Sequence, residues 1–209
     1  SREERPARTG RLDDSGGETS KGRKLYYHLT LLAENQTGYK NLIQVASRAF
    51  MEGYYYKPRV DWEVLSDHSE GLIATSGCLG GQVLQALLAD NYDDAKAKAA
   101  RFQDIFGKDN FFMELQDHGI PEQKKTNPQL IQIGRDIGAP LLATNDSHYT
   151  HQHDAESHDA LLCVQTNALM SDPNRFKFSG DQHYLKSALE MRNLFSEVPE
   201  ACDNTLSIP

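Results

Sequence analysis

The feature that most constrains this chain is an alternation. Short apolar runs of strand length are followed repeatedly by stretches of helical periodicity. LYYHLTLLA (residues 25–33) leads into YKNLIQVASRAF (39–50), and GLIATSG (71–77) leads into GQVLQALLAD (81–90) and YDDAKAKAARFQDIFG (92–107). NFFMEL (110–115) then leads into NPQLIQIGRDIG (127–138), and APLLATND (139–146) closes the series. Apolar runs bounded by turn residues read as buried strands, and helices ending at Gly107 and Gly138 carry the usual stop signal. Strands alternating with helices of this length predict an α/β fold with a parallel sheet or barrel, in which chemistry gathers where the strands end. We find no internal repeat and no low-complexity tract.

Residues 1–24 contain five Arg and only one large apolar residue, Leu12, too little to offset ordering entropy by burial, so a flexible polar loop or tail is expected there. Because the chain opens at Ser1 inside that stretch, with no initiator Met, we expect a fragment of a longer protein. No apolar run approaches the roughly 20 residues that cross a bilayer, and no signal peptide is evident, so the expectation is a soluble, cytoplasmic protein without a membrane partner. The net charge of −8 argues against a broad basic face for DNA phosphates. Cys78, Cys163 and Cys202 are too few and too scattered for a disulfide framework or a paired zinc-finger spacing.

The most informative segment is LLATNDSHY (141–149), an apolar strand running into Asp146 and His148. On an extended backbone these two point the same way, and a carboxylate beside an imidazole suits Zn²⁺ or Mn²⁺. A bare Asp-x-His is more often a turn cap beside a surface histidine. Cys78, in the small-residue turn after 72–75, has the same two readings, an exposed thiolate ligand or an inert buried thiol. His28 in its apolar run is either a ligand or a hydrogen-bonded core residue. Glu114 and His118 in MELQDHG form another pair at a strand end, suited to supporting a site from behind, with direct metal contact a second option. His158 either lines the site or belongs to an amphipathic helix, while His68, His151 and His153 read as solvated. No Gly-rich phosphate loop, G-x-S-x-G elbow or H-E-x-x-H helix is present, which leaves hydrolysis by metal-activated water as the best-supported reaction class.

In order along the chain, YYHLTLLAENQTGYKNLIQVAS, GYYYKPRVD, EGLIATSGCLGGQV, ELQDHG, LLATNDSHY and DALLCVQT resemble the PHP (polymerase and histidinol phosphatase) region of bacterial DNA polymerase III alpha subunits, the family C replicative polymerases. The resemblance implies a distorted β/α barrel, incomplete here, with a metal cluster at the strand carboxyl ends held by His28, Cys78, Asp146 and His148. In metal-competent relatives about nine ligands share up to three ions, and the H-x-H strand, second His and Glu that open the family's pattern are not found before Leu25. The domain's later part would span 25–166, followed over 167–209 by a mainly helical connection towards the polymerase palm. Arg175, Lys177 and Lys186 there either meet a DNA backbone or form a solvated face.

The family implies that the parent copies DNA, with Mg²⁺ at a polymerase site outside this chain. The PHP region would add metal-dependent 3′–5′ exonuclease proofreading, and the replicase a sliding clamp and a separate proofreading subunit. Retention of all four visible ligands favours an active site. The competing reading is a catalytically silent scaffold that braces the polymerase and docks partner subunits. A free-standing phosphatase of the histidinol phosphate type fits poorly with GYYYKPRVD and with the segment after Thr166.

Overall fold

A computed structural model describes residues 26–208. The expected polar tail at 1–24 lies outside them. Four strands form one sheet in the order β1 (Thr30–Ala33), β2 (Leu72–Thr75), β3 (Phe111–Leu115), β4 (Leu141–Ala143). Strands β2, β3 and β4 run parallel, as the alternation predicts, but β1 is antiparallel to β2, with Thr30 opposite Thr75 and Leu32 opposite Ile73. Helices α1 (Gln36–Met51) and α2 (Trp62–Asp67) connect β1 to β2, and α3 (Gln82–Leu88) with α4 (Tyr92–Phe106) connects β2 to β3. The connection from β3 to β4 is α5 (Pro121–Ile137), and α6 (Ala155–Thr166), α7 (Ala188–Leu194) and α8 (Pro199–Asp203) follow. The architecture is a mixed α/β one, with the sheet forming only part of a barrel wall.

Local chemistry sets the element ends. Asn35 caps α1 by accepting from the Gly38 amide at 3.0 Å, and Asn91 caps α4 ahead of Asp93 and Asp94, whose negative charge suits a helix amino terminus. Gly138 ends α5 in the left-handed conformation with φ +67°. That helix begins at Pro121, six residues before the predicted start, because Pro128 reads as a first-turn proline whereas it sits inside the helix. Gly38 is required for another reason. A Cβ there would lie 1.7 Å from the Gly71 carbonyl oxygen, so only glycine lets α1 lie against the turn that feeds β2.

The central strands are buried on both faces, as parallel strands covered on each side must be. Leu72, Ala74, Phe111, Met113, Leu115, Leu141 and Ala143 face α3, α4 and α5 in the main core. Ile73, Phe112 and Leu142 form a smaller apolar layer on the opposite face, against Ile208. Counting two residues further along each strand on that same face gives Thr75, Glu114 and Thr144. The apolar layer thus gives way to a polar one at the strands' carboxyl ends. In the segment after Thr166, helices occupy only the stretch beyond Ser187; residues 167–187 cross the mouth of the sheet as irregular chain, joined to it where Tyr149 pairs with Tyr184.

Candidate metal centre

The floor of the site is the polar layer. Glu114 is 8% exposed, and its carboxyl group accepts from Thr75 Oγ1 (2.5 Å), Thr144 Oγ1 (2.6 Å) and Gln116 Nε2 (3.0 Å). Its own backbone amide donates to Ser76 Oγ at 2.9 Å. Every carboxyl oxygen is therefore engaged from a neighbouring strand or its own, so Glu114 ties β2, β3 and β4 together at the ends from which the functional loops spring.

Above it, Asp146, His148 and His183 converge, each with a ligand atom within 4.8 Å of the others. The route differs from the extended alternation expected from sequence. Strand β4 stops at Ala143, and Asp146 adopts φ +46°, a left-handed turn that Asp tolerates better than most residues. The His148 amide then donates to the His183 carbonyl at 2.8 Å. His148 Nε2 lies 3.3 Å from Asp146 Oδ1, close to the roughly 3.3 Å edge of a tetrahedron of Zn–N bonds about 2.0–2.1 Å long. The donor set, two imidazoles and a carboxylate, suits Zn²⁺ or Mn²⁺. His183 Nδ1 donates to the Asp146 carbonyl at 3.3 Å, which leaves Nε2 as its ligand atom, an outer hydrogen bond of the kind that fixes a metal-binding tautomer.

His183 was invisible to sequence reasoning because it lies in a polar stretch with no strand before it. A signal exists nonetheless: DSHY at 146–149 recurs as DQHY at 181–184, and in the fold the two tyrosines pair side by side.

His28 and Cys78 stand together at a second point, with Sγ 3.5 Å from Nδ1. Their meeting depends on the antiparallel β1. His28 precedes that strand, which places it beside the loop leaving the carboxyl end of β2, where its amide donates to the Gly80 carbonyl at 3.1 Å. Cys78 is partly exposed rather than sealed in the core. One open cleft of about 2920 Å³ is lined by both groups, His28 with Cys78 and Asp146 with His148 and His183.

His118 has a different station. Its Nε2 donates to the Asn145 carbonyl (2.7 Å) and its Nδ1 accepts from Gln123 (2.9 Å), so both nitrogens are taken and the ring serves as a brace, stacked under His183 at 3.8 Å between centroids. His158 packs at 5.5 Å from His148 and edge-on to Phe178, on the site's wall. Two of the three cations that read as either facing DNA or forming a solvated face are used internally. Arg175, its side chain 10% exposed, is bound to Asp159, and Lys186 donates to Asn145 Oδ1 (3.1 Å) and to the Gln182 carbonyl. Lys177 stays exposed on the cleft.

Burial depresses the histidines of this wall. His183 is pushed down to about 4, first by burial and then by its neighbour His118, while His118 and His158 are lowered by burial above all. A neutral imidazole is the form that binds metal. Since the folded values lie below the unfolded value of about 6.5, the unfolded chain takes up these protons first as pH falls. The resulting stability is complete above about pH 6.5 and is lost as pH drops towards 4. Urea melts of the chelator-treated protein should therefore show a lower midpoint at about pH 5 than at about 7.5, and His183→Gln should flatten the difference. Equal midpoints in the unsubstituted protein would contradict this account.

Residues 11–118, just over half of the chain, match the family model described as PHP domain. The chain belongs to the PHP domain family. The match stops at His118, so the loop bearing Asp146 and His148, and His183 beyond it, lie outside the matched part of the PHP domain. Longer similarities span both. The chain is 50% identical over 194 residues to the DNA polymerase III subunit alpha of Saccharopolyspora erythraea, covering 92% of this chain and 16% of that protein. It is 49% identical over 187 residues to the Treponema pallidum protein of the same name (90% and 16%), and 50% identical over 171 residues to that of Deinococcus radiodurans (82% and 13%). This PHP chain thus spans about one-sixth of the length of the curated relatives it matches. Among the described residues no helix is long and apolar enough to cross a membrane.

Proposed function

We propose that this chain is the metal-holding PHP region of a cytoplasmic DNA polymerase III alpha subunit and that its cleft hydrolyses the 3′-terminal phosphodiester of DNA, giving the parent polymerase a 3′–5′ proofreading exonuclease. The observation that carries the reading is the convergence of Asp146, His148 and His183 within 4.8 Å at the carboxyl ends of parallel strands. Names of the relatives support the polymerase parent. Sites of this fold gather at that end of the sheet.

Asp146, His148 and His183 would hold one divalent ion, Zn²⁺ or Mn²⁺, and His28 with Cys78 would hold another in the same cleft; up to three belong to the complete domain. When bound, such ions supply Lewis acidity and a nucleophile at neutral pH. The chain's own residues do the positioning. Asp146 fixes the His183 tautomer through its carbonyl, His118 supports the His183 ring from below, and Glu114 holds the three strand ends in register. Lys177, exposed on the cleft wall, is placed to meet a phosphate. Within the replicase, DNA, the sliding clamp and a separate proofreading subunit would be the partners, and the parent's polymerase site would hold its own Mg²⁺.

The experiment is degradation of a 5′-labelled single strand by the full-length parent, without nucleotides and free of any separate proofreading subunit. Chelation should abolish degradation and Zn²⁺ or Mn²⁺ should restore it. Absence of degradation under every metal condition would favour a silent scaffold.

A further inference from the structure

The turn after α1 presents aromatic rings to solvent in a way that packing does not explain. Phe50, Tyr54 and Tyr56 are 65%, 60% and 76% exposed. They are nonetheless held in place. Phe50 and Tyr54 stack with centroids 6.2 Å apart, and Tyr55 meets Tyr56 edge-on at 4.6 Å. The Tyr55 amide donates to the Lys57 carbonyl at 3.1 Å, closing a tight turn with Tyr56 at its tip in the left-handed conformation, φ +62°. A bulky aromatic residue adopts that conformation at an energetic cost, and such outliers cluster where a ligand is met. Arg59 locks the turn from behind, its guanidinium 4.8 Å from the centre of the Tyr55 ring and its Nε donating to the Gly53 carbonyl at 3.3 Å.

The location limits what can bind. Arg48, Gly53, Lys57 and Arg59 line the same open cleft as His28, Cys78, Asp146 and His148, so the turn that carries the rings borders that cleft. On a chain of net charge −8 this rim gathers three cations. Glu52 lies 3.8 Å from Arg48. Exposed, preordered rings beside cations form a platform on which bases stack while the backbone phosphates are neutralised, and such binding tolerates any sequence because every base has a π-face.

We infer that Phe50, Tyr54 and Tyr56, with Lys57 and Arg59, form a stacking platform for single-stranded DNA on its way into the cleft. The inference rests on the nuclease reading for the direction of the strand but not for its binding. Aromatic rings with Arg also suit a protein partner; continuity with the cleft and the cations on its rim favour the nucleic acid.

The test is fluorescence anisotropy of a labelled oligothymidylate titrated with the 209-residue chain at low salt in chelator, where no hydrolysis occurs. The unsubstituted chain should bind the single strand and prefer it to blunt duplex. The Tyr54→Ala/Tyr56→Ala pair should raise Kd by about 10-fold or more, from stacking losses of about 5- to 150-fold per base. Tyr54→Phe/Tyr56→Phe should restore binding, since a phenyl ring stacks as well, and circular dichroism of both variants should match the unsubstituted chain. No binding of the single strand, equal binding of duplex, or an unchanged Kd in the alanine pair would each overturn the platform, the first pointing instead to a protein partner. Strand binding in a protein with no metal-dependent degradation would sink the nuclease and leave the platform standing; metal-dependent degradation without strand binding here would do the reverse.

Discussion

In the full-length parent, His148→Ala is expected to lower degradation of single-stranded 3′ ends by at least about 100-fold while leaving nucleotide incorporation within about twofold. Groups that merely orient metal ligands cost about 10–100-fold when removed, so a direct ligand sets the lower limit at the top of that range. Stability should hardly change. The His148 side chain is 36% exposed and its main neighbours are the edge contact to Phe178 at 4.6 Å and the wall histidines, so its loss opens no core cavity, and surface changes of this kind stay within about 0.5 kcal/mol. The measurements are primer degradation without nucleotides and primer extension with them. Undiminished degradation would remove Asp146, His148 and His183 from the chemistry, and a joint loss of both activities together with a lowered melting temperature would show that His148 supports the fold instead.

What the sequence made legible was local. The runs 72–75, 111–115 and 141–143 are apolar except for Thr75 and Glu114, and that near-continuous apolarity identifies strands covered on both faces. The direction of β1 was not legible. A strand that pairs antiparallel has the same composition as one that pairs parallel, yet this direction decides that His28 reaches Cys78 from the start of its strand. Glu114 and His118 were recognisable as candidate supporting residues by their place at and just beyond the end of β3, but their partners lie 30 and 27 residues away at Thr144 and Asn145, distances no periodicity reports. Arg175 and Lys186 read as free cations because a sequence carries no record of Asp159 or Asn145 turning inward to meet them. His183 was hidden most completely. Its entry into the site depends on irregular chain returning across the sheet mouth, and only the repeated D-x-H-Y foreshadows it.

Glu114 separates the frame of the site from its chemistry, and its replacement should be felt in stability first. In Glu114→Ala the Thr75 and Thr144 hydroxyls and the Gln116 amide lose their common acceptor in a place that water reaches poorly, and each buried group left unpaired costs about 1–3 kcal/mol. Relaxation and entering water will recover part of this, so a loss of about 3 kcal/mol is expected, read as a lower urea midpoint with an unchanged slope. Glu114→Gln keeps the volume and one carbonyl acceptor, and the threonine hydroxyls can rotate to accept from the new amide, so its cost should be about 1 kcal/mol. Replacement by Leu should not rescue the alanine variant, because swapping a buried polar group for an apolar one is neutral only when its partners are replaced as well. Zinc affinity is the discriminating measurement. With every carboxyl oxygen directed at a strand neighbour, Glu114→Gln should bind Zn²⁺ within a few-fold of the unsubstituted protein, whereas a direct ligand would lose far more than the 10–100-fold typical of an orienting group. A large loss of zinc affinity in a variant of nearly unchanged stability would move Glu114 from the frame into the metal centre.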